Sequence, residues 1–176
     1  MSTTQNGSAT THTDLLIVGA GFGGLGLGVR LKRRGQNGFL IIERADDVGG
    51  TWRDNHYPGV ACDVPSHLYS FSFRPNPNWS QVFSPGGEIQ QYLRDCAREE
   101  GLLSHIRLGT TMLDARWDED ERQWRVSTSN GLFTCRVLIA CPGHLADEHL
   151  PDIPGLADFQ GETFHSARWN HGARLQ

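Results

Sequence analysis

The chain has 176 residues, 38% hydrophobic and 20% charged, a normal size for one domain and too few for two full nucleotide-binding domains. Its net charge of −4 argues against nucleic acid or an anionic membrane as partner. The longest apolar run, Leu15–Ala20, is far below the roughly 20 residues that span a bilayer. Residues 1–13 lack the charged start and apolar stretch of a signal peptide, so they are expected to be a disordered tail on a cytoplasmic protein.

Asp14-Leu-Leu-Ile-Val18 is a short apolar run ending in glycines, as a buried parallel strand should be. Gly23 to Arg34 predicts a helix, with Leu27 and Leu31 on one face and Lys32-Arg33-Arg34 before Gly35 at its C-terminus. Phe39-Leu-Ile-Ile42 is the next strand. Together these segments make one βαβ unit.

Asp46 to Ser84 differs in kind: it is rich in Pro, Gly and aromatics and has no helical or strand period. A long structureless stretch inside a compact domain is usually functional. Glu88 to Glu100 predicts a helix with Ile89, Tyr92, Leu93 and Cys96 as its apolar stripe. Ile106–Leu108 reads as a third parallel strand, and Met112–Trp117 and Trp124–Thr128 as antiparallel strands. Asn130-Gly131 is a hairpin turn that pairs the latter with Leu132–Cys135. Val137–Ala140 is a last buried strand, stopped by Cys141-Pro-Gly143. Among the four cysteines there is no CxxC pair, and the eight histidines form no HExxH. Structural thiols and no metal are therefore expected.

Gly19-Ala-Gly21-Phe-Gly23-Gly24 is a GxGxxG loop between a predicted strand and a predicted helix, the context that gives the motif weight. Gly19 permits the turn off the strand, Gly21 lets a pyrophosphate approach the backbone, Gly23 opens the helix, and Gly24 lets that helix pack on the sheet. The helix N-terminus offers free N–H groups to phosphates. Glu43, at the end of the second strand, is placed to accept hydrogen bonds from the adenosine ribose and to repel a 2′-phosphate. That favours FAD or NAD over NADP at this loop. Arg44 reads as a solvated surface charge.

The segment after Glu43 separates FAD from NAD. Gly49-Gly50-Thr51-Trp52-Arg53-Asp54-Asn-His-Tyr-Pro-Gly-Val-Ala-Cys-Asp63 resembles a signature of Baeyer–Villiger monooxygenases. Phe159-Gln-Gly161-Glu-Thr-Phe-His165-Ser-Ala-Arg-Trp169 resembles the same family's FxGxxxHxxxW fingerprint, departing from it at Asn170, where Pro or Asp is usual. N- and S-oxidising flavin monooxygenases carry a similar fingerprint, usually with another aromatic in place of the tryptophan.

The resemblance implies an α/β fold: a Rossmann-like FAD-binding domain with a parallel sheet and an antiparallel hairpin or meander insertion, incomplete relative to the family. It places that domain at 14–143 and a fingerprint-bearing linker at 144–176, cut before the NADPH domain. Gly50, Thr51, Trp52, Arg53 and Asp54 then contact FAD, as do Asp63, Tyr69 and the backbone at Met112. Asp63 also holds an arginine that no residue of this chain matches, and His165 couples NADPH binding to domain position. His56 is assigned no role. The implied chemistry converts ketones to esters or lactones with NADPH and O₂ through a C4a-peroxyflavin, with the NADPH site mostly outside this chain and the chain alone inactive. The alternatives are a stand-alone FAD-binding module, a reductase component, or an N- or S-oxidising enzyme.

Overall fold

The computed structural model describes residues 10–174. Strand β1 (Thr11–Val18) leads through α1 (Phe22–Arg33) to β2 (Phe39–Ile42). The short α2 (Thr51–Asp54) interrupts a long loop, after which come α3 (Gly86–Glu99) and β3 (Ile106–Arg107). Strands β4 (Met112–Asp118), β5 (Gln123–Thr128) and β6 (Gly131–Ala140) complete one six-stranded sheet in the order β3-β2-β1-β6-β5-β4.

The sheet changes character along its width. β3, β2, β1 and β6 run parallel, with Leu15 opposite both Phe39 and Val137, whereas β6, β5 and β4 are antiparallel. One strand makes the change. β6 is 10 residues long, pairing on one side with β5 and on the other with all of β1. The two separate strands expected at Leu132–Cys135 and Val137–Ala140 are therefore one, and the antiparallel meander, inserted in sequence between β3 and the parallel part of β6, extends the sheet at its edge. The same length corrects the expected tail: Thr11, His12 and Thr13 belong to β1 because β6 offers them partners at Phe133, Thr134 and Cys135. The part of that tail at 1–9 lies outside the described residues.

Both faces of β1 are covered, which accounts for its unbroken apolar run. Ile17 packs with Leu25 and Val29 of α1 and Leu93 and Cys96 of α3, and Leu16 with Val126, Phe133 and Cys135 of the meander. In α1 the fully buried face is Gly24, Leu25, Gly28 and Val29, while Leu27 and Leu31 sit on its flank. Glycines at 24 and 28 let the helix axis approach the sheet, so the small residues define the inner face. The stripe expected on α3 is buried as read.

No helix among the described residues is long and apolar enough to cross a membrane. Nor do these residues contain a group of three or more His, Cys, Asp or Glu able to hold a metal ion.

Candidate functional site

The glycine loop leaves the C-terminal end of β1, where parallel α/β sheets receive ligands. Gly19 has a φ of +103°, and a Cβ there would lie 2.4 Å from the Cys141 carbonyl oxygen. At Gly24 a Cβ would lie 1.9 Å from Gly19 O, so the helix rests directly on the turn that precedes it. No side chain caps α1, leaving its first N–H groups for an anion.

A second glycine turn meets this one. A Cβ on Gly50 would lie 3.3 Å from Gly21 Cα, and the Gly49 amide donates to Ala20 O at 3.0 Å. A side chain at Gly50 would push the two turns apart by a few tenths of an ångström, and one at Gly21 would fill the space between them. The result is a bare backbone cradle from Gly19 to Gly21 and at Gly49–Gly50, a shape suited to a pyrophosphate.

Glu43 lies beside the cradle and is buried. Its Oε2 accepts the Ala20 amide at 2.8 Å, while Oε1 accepts the Ala45 amide at 3.0 Å and pairs with Arg53 Nη1 at 3.0 Å. A carboxylate has about four acceptor sites, so one remains for a ligand. The backbone on either side is tied down too, with Thr110 N–H donating to Glu43 O and Gly109 N–H to Ala45 O. Met112, the exposed first residue of β4, follows two residues after Thr110.

Arg53, expected from the resemblance to contact FAD, is held by other residues of the chain. It points into the protein, with Nε and Nη2 on the two Asp54 oxygens at 2.8 and 3.0 Å and Nη1 on Asp47 O at 2.6 Å. Burial works against its charge, but the bond to Asp54 and the nearby Glu43 carboxylate outweigh it, and its pKa is raised. Arg44, which neighbours Glu43 in sequence, instead pairs with Asp147 at 2.5 Å. Arg44 is thus an exposed charge, as read from the sequence, whereas no periodicity points to Arg53 as the partner of Glu43.

The long loop is built around aromatic rings. Phe22, inside the glycine motif, meets Tyr69 and Phe71 with ring centroids 5.0 Å apart in each pair. Trp52 Nε1 donates to Tyr69 Oη at 3.1 Å, and burial raises the Tyr69 pKa. Thr51, Trp52, Asp54 and Tyr69 are thus grouped under the cradle, half-buried. Asp63 is exposed on the turn after Cys62, whose amide donates to Ser84 O at 2.9 Å.

The fingerprint segment returns to the same loop. Trp169 packs edge-on against Phe164 at 5.0 Å and faces Tyr57 at 6.4 Å. His165 Nδ1 accepts the Ala167 amide at 3.1 Å, capping a one-turn 3-10 helix over Ser166–Arg168. His56, assigned no role from sequence, lies with Nδ1 2.8 Å from His171 Nε2.

A family model described as an NAD(P)-binding Rossmann-like domain matches residues 17–85. A Baeyer–Villiger monooxygenase of Streptomyces coelicolor is 50% identical over 160 residues, covering 91% of this chain and 31% of that protein. One from Pseudomonas aeruginosa is 41% identical, covering 100% of this chain and 34% of its own length. Among solved structures, cyclohexanone monooxygenase from Rhodococcus sp. Phi1 bound to NADP+ superposes with a TM-score of 0.84 at 35% identity, over 95% of this chain and 32% of that one. A complex of OTEMO with FAD and NADP gives 0.82 at 35% identity, over 94% and 32%. The chain therefore spans about a third of the length of the relatives it matches.

Proposed function

This chain is related in sequence and fold to the Baeyer–Villiger-type flavin monooxygenases over about a third of their length, and on that premise we propose that it is the FAD-binding portion of such an enzyme. The reaction is the NADPH- and O₂-dependent conversion of a small ketone to an ester or lactone. The observation that carries this reading is the double glycine cradle, Gly21 against Gly50, beneath an uncapped helix and beside the buried Glu43.

Gly19, Gly21, Gly23 and Gly24 admit the pyrophosphate to the backbone, and the α1 N-terminus stabilises its charge. Glu43 takes an adenosine ribose hydroxyl on its remaining acceptor site. Gly50, Thr51, Trp52, Asp54 and Tyr69 hold the loop along the flavin half, and the Met112 backbone meets the adenine. When bound, FAD supplies the redox chemistry and the activation of O₂, while the protein supplies position, charge and exclusion of water. Asp63, exposed at the edge of this surface, orients an arginine toward the reacting flavin. His165 fixes the turn that presents Trp169 to Tyr57, and so links the fingerprint segment to the flavin loop.

The test is a titration of the protein with FAD, NAD and NADP, followed by calorimetry. FAD is expected to bind more tightly than NADP. Glu43→Gln places an amide NH₂ against Arg53 or the Ala20 N–H and is expected to weaken FAD by about 1–3 kcal/mol. Tighter binding of NADP than of FAD overturns the assignment.

A further inference from the structure

We propose that Arg53 is a positioning residue for the nucleotide: it touches no ligand itself and holds the Glu43 carboxylate in the one orientation that leaves an acceptor site for a ribose hydroxyl. This rests on reading Glu43 as the ribose acceptor.

The argument begins with the turn that delivers Arg53. Gly49 and Gly50 have φ of +130° and +53°, backbone that side chains rarely adopt, and α2 begins at once with Thr51. A Cβ on Gly49 would lie 3.2 Å from Arg53 Cβ, so the turn folds tightly over the arginine stem. The guanidinium is a planar fork with fixed donor directions. Three anchors from three parts of the chain meet it: Asp54 on α2, the Asp47 carbonyl in the preceding loop, and Glu43 at the end of β2. The Arg53 and Glu43 side chains are only 11% and 6% exposed.

A carboxylate so buried is costly to keep ionised without a cation and costly to leave without donors. Its other donors are two backbone amides, Ala20 and Ala45. Neither carries charge, and both lie in loops that Glu43 itself ties down. Arg53 is the charged partner, fixed by Asp54 and Asp47 independently of Glu43. Without it the carboxylate can rotate, and that removes the oriented acceptor site. The Ala20 amide, inside GxGxxG, is then released as well.

The experiment compares ADP with 2′-deoxy-ADP and 3′-deoxy-ADP, by calorimetry on the protein and on Arg53→Met, Arg53→Lys, Glu43→Gln and the double variant Arg53→Met/Glu43→Gln. The protein is expected to prefer ADP about tenfold over one of the deoxy forms, the worth of one hydrogen bond. Arg53→Met collapses that ratio towards one, Arg53→Lys restores part of it, and the double variant shows no further loss beyond Glu43→Gln. Arg53→Met that keeps the parental ratio overturns the proposal, as does a double variant whose losses add. A parent that binds ADP with no preference among the three sinks the ribose reading instead. If the parent binds no ADP, the proposed function fails, and amide hydrogen exchange decides the Arg53 contact alone. Arg53→Met must then speed exchange at Ala20 as Glu43→Gln does, with Leu16 in β1 unchanged; unaltered exchange at Ala20 overturns it.

Discussion

From Thr11 to Ile42 the chain is organised by its backbone, whereas from Asp46 to Ser84 it is organised by side chains. In the first region, β1 pairs with β6 between Thr11 and Val18 and with β2 between Leu15 and Val18, and α1 presses on them through glycines. In the second there is no extended strand: backbone order consists of α2, single turns, the isolated bridges Ala61–Pro85 and Phe71–Arg74, and scattered bonds such as Cys62 N–H to Ser84 O and Ser66 N–H to Val82 O. What holds it there is a ring cluster, the Arg53 fork and the Tyr92 hydroxyl. Backbone order excludes a side chain wherever two segments touch; side-chain order fails one polar group at a time. The two regions should therefore break differently.

The largest effect is expected in the first region. Gly24→Ala places a Cβ 1.9 Å from Gly19 O, and that obstacle is backbone, so it cannot swing away. Helix and turn must separate, and the glycine cradle opens with them. A destabilisation of about 3 kcal/mol or more is expected, at the upper end for overpacking, read as a lowered urea midpoint with loss of the whole cooperative transition. An unfolding free energy within about 0.5 kcal/mol of the parent, the scatter of ordinary surface changes, would show that the two regions do not differ in this way.

Tyr92→Phe is the matching test of the loop. The buried hydroxyl accepts the Phe71 amide at 2.9 Å and donates to Arg74 O at 2.7 Å, stapling the loop to α3. Burial holds this phenol's pKa well above the ordinary value, so it stays a neutral donor at any working pH. Phenylalanine keeps the ring and leaves an amide and a carbonyl unpaired, at a cost of about 1–3 kcal/mol. Because only the loop depends on this staple, limited proteolysis near 71–74 should accelerate while amide protection in β1 is retained. Equal loss of protection in β1 would mean that loop and sheet unfold as one unit.

The same contrast explains what could be read from sequence. The βαβ unit was legible because its causes are local: an apolar run, a glycine motif, a basic helix end. The α3 stripe Ile89, Tyr92, Leu93 and Cys96 was legible for the same reason. The single long β6 was not, because Arg136 breaks the apolar pattern between Cys135 and Val137 while the register with β1 is the same on both sides of it. In α1, apolarity marks Leu27 and Leu31, which do pack against the core, but the most buried face is set by Gly24 and Gly28, which no hydrophobic pattern reports. At the site, the glycines and Glu43 follow from motif spacing. The partnership of Glu43 with Arg53 depends on a turn made by two glycines at positive φ, and no periodicity reports where such a turn sends the next side chain.

The smallest effect sharpens the comparison from the scaffold side. Arg33, at the end of α1, grips Glu100 beyond α3, with Nη2 to Oε1 at 2.5 Å and Nε to Oε2 at 3.0 Å. The bond to Arg33 holds the Glu100 carboxyl below its usual pKa, against the opposing effect of burial, with Arg74 and Lys32 assisting. An acid whose pKa is lower folded than unfolded stabilises the fold above the unfolded value, about 4.3 for Glu. That contribution fades as pH falls from there through the folded value. Arg33→Met should therefore lower the melting temperature slightly at pH 7 and reduce the difference between pH 7 and pH 3, so that the two melting curves converge in acid. The pair joins α1 to the end of α3 and reaches the loop through the Phe73 ring, whose centroid lies 5.0 Å from the Arg33 guanidinium. Such a contact is weak at an exposed site, so proteolysis in the loop should accelerate far less than in Tyr92→Phe. A parallel offset of the melting temperature at every pH would show that the arginine stem supports packing and that its charge is irrelevant, and cleavage of the loop accelerated as much as by Tyr92→Phe would show that the side-chain-built region depends on the scaffold's surface charges after all.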